Sequence, residues 1–171
     1  EAEALSRDPA GYSAATLGVR RGLDVFGASN PGDARLSRLD ADPQAAVLYG
    51  AVEREQALDW GFALFGEAAA RVASAPLPGG EEFALGGTTF GRGYDPSEAV
   101  GDHGFGATIE LRLREDFEIA ARRVDAEFYG FGDFGRVWSA GEGVPARADL
   151  ASYGLGVRAF VEGALFIGAE V

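Results

Sequence analysis

Along most of the chain, apolar and polar residues alternate with a period of two. In 105–115, FGATIELRLRE, one side carries Phe105, Ala107, Ile109, Leu111 and Leu113, and the other carries Gly106, Thr108, Glu110, Arg112 and Arg114. Successive side chains of a strand point to opposite faces, whereas a helix would scatter both sets around its axis. The segment is therefore predicted as a strand with one apolar and one charged face. The same test predicts a strand at 12–25, where Ala15, Leu17, Val19, Leu23 and Val25 oppose Thr16, Arg20 and Asp24. At 59–73, Trp60, Phe62, Leu64, Ala68 and Val72 oppose Asp59, Glu67 and Arg71; at 149–159, Ala151, Tyr153, Leu155, Val157 and Ala159 oppose Ser152 and Arg158. Segments 43–55, 81–90, 122–134 and 161–171 bring the predicted strands to eight.

The connections come in two sizes. EREQALD at 53–59 and REDFEIAA at 114–121 are short, while 27–43, 74–81, 86–104 and 139–149 are long and rich in turn residues. Short turns at one end and long loops at the other are the habit of outer-membrane barrels. Strands with one apolar face also suit an antiparallel sandwich. Alternation alone leaves both open.

Composition narrows the functional classes. Glycine supplies 26 of the 171 residues, about twice its usual share of roughly 7%. No apolar run approaches the roughly 18 residues of a membrane helix, so a helical membrane protein is excluded. A membrane barrel is not, because its lipid face is apolar only at alternate positions. The formal net charge of −12 argues against gripping a nucleic-acid backbone, and the lack of cysteine removes disulfides, Cys-ligated zinc and thiol catalysis. The opening EAEALSRDPAGY has neither the basic nor the apolar region of an export signal, so the chain is read as cytoplasmic or as starting after such a signal.

Two stretches go beyond pattern. One is GGTTFGRGYDPSEAVGDHG at 86–104, with Arg92 between Gly91 and Gly93, Tyr94 beside it, and no evident hydrophobic anchor. Loops of this length are usually functional or disordered. The other is FYGFGDFGRVW at 128–138, where Asp133 stands between Phe131 and Gly135. Across 122–134, Asp133 shares a face with Arg123, Asp125, Glu127, Tyr129 and Phe131, opposite Val124, Ala126, Phe128 and Phe134. In a barrel that face is the lumen. A carboxylate in a partly desolvated space needs a cation, and the planar fork of Arg92 suits it. Residue chemistry permits this pair without demanding it; an ordinary loop arginine and a turn aspartate are the plain alternatives.

Other signals fall away. Gly130, Gly132 and Gly135 spell GxGxxG, but the following RVWSAGEGVP cannot form the helix that a dinucleotide site needs. His103, the single histidine, has Asp95, Glu98 and Asp102 nearby at spacings that match no metal site, and Ser97 has no base placed for it. No catalytic residue, metal ligand or cofactor is expected.

Together the two stretches resemble the haemolysin secretion/activation proteins of the ShlB/FhaC/HecB family, the two-partner-secretion transporters. The family's loop motif VRGY stands here as Gly91-Arg92-Gly93-Tyr94, with glycine in place of valine, followed by Gly101-Asp102-His103-Gly104 and the strand segment Glu110-Leu111-Arg112. Its second motif, (F/G)xDxG, stands as Phe131-Gly132-Asp133-Phe134-Gly135. The likeness is specific from about residue 80 onward and only generic before it.

This resemblance implies an all-β fold, an antiparallel transmembrane β-barrel of the outer membrane. Residues 1–171 would be its C-terminal part, about eight strands of a sixteen-stranded barrel, as a fragment without signal peptide, periplasmic domains or last strand. The implied activity is export of a large unfolded exoprotein of the haemolysin or filamentous-adhesin class, with no enzymatic step and no cofactor. Implied partners are that exoprotein and outer-membrane lipid, with no nucleic acid and no small-molecule substrate. The loop would fold back into the barrel, and Arg92 would pair with Asp133 on the inner wall as a loop-to-barrel lock, supported by Gly91, Gly93, Tyr94, Phe131 and Gly135. A related task in the same superfamily, assembling other outer-membrane proteins, shares these motifs. A soluble β-sandwich binding module is the alternative from another class.

Overall fold

The computed structural model describes residues 1–119, 122–141, 147–161 and 165–171. Ten strands occur among them: β1 (Ala2–Asp8), β2 (Gly11–Arg21), β3 (Ala46–Ala57), β4 (Phe62–Ala73), β5 (Phe83–Leu85), β6 (Ala99–Gly101), β7 (His103–Ile119), β8 (Arg122–Trp138), β9 (Arg147–Val161) and β10 (Leu165–Glu170). Eight of them form one antiparallel sheet in the order β1-β2-β3-β4-β7-β8-β9-β10, which does not close on itself among the described residues. β5 and β6 pair separately. Neighbours in this wall are neighbours in the chain except at β4, which pairs with β7 because residues 74–102 leave the sheet and return. Turns 9–10 and 58–61 are short and loops 22–45 and 74–102 long, so the long loops gather at one end of the wall.

Register fixes two faces. One carries Leu64, Leu111, Gly130 and Leu155 in a single row across four strands, with Ile109 and Phe128 in adjacent rows. Of these, Leu64, Ile109, Leu111, Phe128 and Leu155 are all exposed, a continuous apolar surface that calls for an apolar neighbour. The opposite face carries Glu53, Glu67, Thr108, Asp133 and Ser152 in one row.

The segment 74–102 lies against this charged face, and most of the packed core forms there. Phe83, Leu85, Phe90 and Ala99 cluster with Val137 of β8, flanked by Ala69, Ala148 and Leu150. The wall beneath is smooth because it is glycine: side chains at Gly104, Gly106 and Gly135 would run into Phe83, Phe90 and Leu85 respectively. Burying each of those three large side chains is worth about 1.5–3 kcal/mol, so apolar contact holds the loop in place before any charge is counted.

The fold class is all-β and antiparallel, as the alternation predicts, but three strand expectations need correction. The predicted strand 81–90 is not part of the wall. Gly86 and Gly87, with φ of 95° and 89°, turn the chain so that Gly86 N–H bonds to Phe90 O and Gly87 N–H to Tyr94 O. The eighth strand of the wall is instead β1, at its edge beside β2, which has no apolar face to announce it: Ala2, Ala4, Ser6 and Asp8 alternate with Glu3, Leu5 and Arg7. The supposed turn REDFEIAA is largely strand, since β7 runs to Ile119 and β8 starts at Arg122. Boundaries shift elsewhere too. β2 ends at Arg21, leaving Leu23 and Val25 in the loop, and Trp60 lies in the turn before β4, 90% exposed. Of the predicted 161–171, residues 162–164 lie outside the described residues.

Candidate functional site

Asp133 sits in mid-β8, with Thr108 of β7 and Ser152 of β9 as its cross-strand partners. Its side chain is completely buried under the returning loop. The buried carboxylate is satisfied from both sides. From the wall, Thr108 Oγ1 donates at 2.6 Å and Ser152 Oγ at 3.1 Å. From the loop, the backbone N–H groups of Gly91 and Arg92 donate at 3.2 and 3.0 Å. The Arg92 guanidinium completes the shell with a two-pronged contact, Nε to Oδ2 at 3.1 Å and Nη2 to Oδ1 at 2.8 Å. Such forked, charge-assisted pairs are the strong ones, and removing one partner of a buried pair costs about 3–5 kcal/mol.

The loop backbone is shaped for this. Gly91 has φ of 91°, a conformation that residues with a Cβ rarely adopt, and this turns its N–H toward Asp133. A valine there, as in the family motif, would be strained in this loop. At Gly93 a Cβ would stand 3.1 Å from that of Ser152, so the tip rests directly on β9. Tyr94 turns to the same strand, its hydroxyl donating to Ala151 O at 3.2 Å. Phe131 lies under the Arg92 guanidinium, 3.7 Å from carbon Cζ to ring centre. Gly135 belongs to the floor beneath Leu85 and does not touch the pair.

A second carboxylate completes the seat. Glu110, 4% exposed, accepts from Arg92 Nη1 at 2.5 Å, Arg112 Nε at 2.8 Å and Arg158 Nη2 at 3.0 Å. Each of these guanidinium groups also lies on an aromatic ring: Arg92 on Phe131, Arg112 on Phe65 and Arg158 on Tyr129. Beyond them Arg112 and Arg114 pair with Glu55, and Arg114 and Arg158 with Glu127. Ion pairs thus run without a gap from Asp133 toward the short-turn end. Burial alone would depress the pKa of the Arg92 guanidinium, but the carboxylates of Asp133 and Glu110 outweigh it and hold the pKa above its ordinary value.

The structure therefore brings Arg92, Asp133, Gly91 and Phe131 into one contact and places Gly93, Tyr94 and Gly135 around it. Reading the two motifs missed Thr108, Glu110 and Ser152. The parity of 105–115 held part of the signal, since it set Thr108 and Glu110 on the charged face. The loop also has the hydrophobic anchor that the sequence reading denied it: Phe90 is 6% exposed, its ring 6.3 Å from that of Phe83. His103 lies apart from the site, stacked on Trp138 with its Nδ1 accepting from Ala73 N–H.

What this arrangement does chemically is hold a segment of chain against a wall by charge, hydrogen bonds and apolar contact. A protein-family model described as haemolysin secretion/activation protein ShlB/FhaC/HecB matches residues 4–159. The chain belongs to that family. The match reaches from β1 into β9, so family character extends well ahead of residue 80, where motif reading alone had placed its start. Members of the ShlB/FhaC/HecB family are outer-membrane β-barrels that transport protein in two-partner secretion. Barrels of the outer membrane carry an apolar band outward and polar residues inward, the division that the two faces of this wall have. No curated protein and no solved structure matches the chain.

Proposed function

We propose that this barrel exports a large unfolded exoprotein, of the haemolysin or filamentous-adhesin class, across the outer membrane, with segment 74–102 as its gate. The observation that carries the reading is the seat of Arg92. A loop arginine only 9% exposed, forked onto a carboxylate that accepts six hydrogen bonds, is too costly to bury for a segment without a task in the lumen. In this reading the wall is the C-terminal part of a larger barrel, lipid covers its apolar face, and the exoprotein passes along the charged one. The work is done by binding and release of the loop, with no catalytic step and no cofactor.

Release has a defined asymmetry. When Arg92 leaves, Glu110 keeps Arg112 and Arg158, whereas Asp133 keeps only Thr108 and Ser152. The cost of opening therefore concentrates on Asp133, which makes the loop return. Charge reversal by Arg92→Glu puts a third carboxylate against two. Secretion of the exoprotein into the medium is expected to fall to background, while the barrel still inserts and keeps its heat-dependent shift in gel mobility. An Arg92→Glu barrel that secretes at the wild-type level overturns the gate reading.

A further inference from the structure

The Gly101-Asp102 pair plays no part in the Arg92 seat, yet its surroundings are as fully built. Asp102, between β6 and β7, is 0% exposed. Its carboxylate draws together three separate segments: Leu77 N–H donates at 2.6 Å, Ala140 N–H at 2.8 Å and Arg38 Nη1 at 2.9 Å. Arg38 comes from loop 22–45 and also donates to Glu82 at 2.8 Å, Asp40 at 3.0 Å and Leu77 O at 3.3 Å. A further bond, Gly79 N–H to Ser37 Oγ at 2.8 Å, joins the same two loops. Glycine at 101 permits the approach, because a Cβ there would lie 2.8 Å from Trp138 N.

The topology gives this contact a meaning. Leu77 and Asp102 are the two ends of the segment that folds into the lumen, so one carboxylate pins its neck. Leu77 is itself buried with Ala45, Val47 and Ala73, which fixes the outgoing arm. Arg38 then brings loop 22–45 onto the neck and neutralises a charge that would otherwise be costly to bury. The Arg92–Asp133 pair and the Arg38–Asp102 pair share no side chain. One holds the tip of the segment in the lumen, and the other holds its root at the long-loop end.

We propose that Arg38–Asp102 is a second latch, which fastens loop 22–45 across the neck of the in-folded segment and must open before that segment leaves the lumen. This rests on the reading of 74–102 as the gate of an export pore. The chain offers its own test, since its 171 residues contain no cysteine and a Cβ at Gly79 would lie 3.8 Å from that of Ser37, the spacing of a disulfide. Ser37→Cys with Gly79→Cys therefore staples the latch shut.

The full-length barrel is placed in planar lipid bilayers with potassium chloride as current carrier. The oxidised double-cysteine form is expected to open at least about tenfold less often than the same channels after a reductant, and Arg38→Met about tenfold more often than wild type, as for loss of one charged hydrogen bond. Arg38→Lys, which keeps the charge, falls between. Oxidised and reduced channels that open alike overturn the latch. If wild type, reduced and Arg92→Ala barrels all fail to conduct, the pore reading fails instead, and trypsin then decides the latch. Cleavage after Arg35, whose side chain is 80% exposed, about tenfold faster in Arg38→Met supports it. Cleavage at the wild-type rate overturns it.

Discussion

The two faces of β7 and β8 obey different physics. On the apolar side, Ile109, Leu111, Phe128 and Phe134 are 41–55% exposed in the protein alone. On the charged side, Thr108, Glu110 and Asp133 are polar and at most 8% exposed. The first set needs only an apolar surrounding, which any hydrocarbon supplies. Each member of the second needs a particular donor at a particular place, because a buried polar group without its partner is costly. The apolar face is therefore tolerant of which apolar residue it carries. The charged face under the loop is exacting, and its exactness comes from segments far away in the chain.

The comparison breaks most visibly by placing one side chain on each face. Ile109→Arg on the lipid side is expected to destabilise the barrel by about 2–4 kcal/mol in lipid vesicles. Ala51→Arg, on a lumen row, is expected to stay within about 0.5 kcal/mol. Urea unfolding in vesicles measures both; a larger cost at Ala51 would mean that the two faces are assigned the wrong way round, and equal costs that they do not differ.

A smaller effect sharpens the fit between loop and wall. Gly106→Val drives a branched side chain into Phe90 and is expected to cost about 1–3 kcal/mol. With Phe90→Ala added, the double variant should be destabilised by less than the sum of the singles. Strict additivity in a double-mutant cycle would show that the glycine floor does not seat the loop.

The least effect lies outside both faces. Asp33 in loop 22–45 has its pKa lowered to about 2 by hydrogen bonds from the Arg35 side chain and backbone. A depressed folded pKa adds stability that is present above the unfolded value of 3.8 and is lost as pH falls through about 2. This exposed turn should therefore loosen only in that acid window. Carboxyl NMR titration follows it, and a midpoint near 3.8 would remove the pairing.

Legibility in the sequence followed the same division. The strands with strong alternation, 105–115 above all, were readable because a side chain on the apolar face depends on its own character and parity. β1 was not, since its two faces do not differ in polarity, and its place in the wall is set by backbone pairing with β2. Segment 81–90 misled for the opposite reason. Phe83, Leu85 and Phe90 are apolar enough for a wall strand, but they pack onto glycines 104, 106 and 135 instead of joining a row. The Arg92–Asp133 contact could be anticipated because parity turned Asp133 inward and the motifs named its partner. Glu110 and Asp102 stand in the quoted motif segments, but their partners come from other parts of the chain that no spacing along the sequence names.

By itself, the sequence determined that this protein is all-β, which residues share a face on its regular strands, and that two glycine-flanked charges are the places to look. Those properties depend on residues two apart along one strand. Only the tertiary structure decided which eight of the ten described strands form the wall, that three arginines converge on Glu110, and that one carboxylate gathers Arg38, Leu77 and Ala140. Such contacts join positions up to 64 residues apart, and their energy exists only when both partners are brought together out of water.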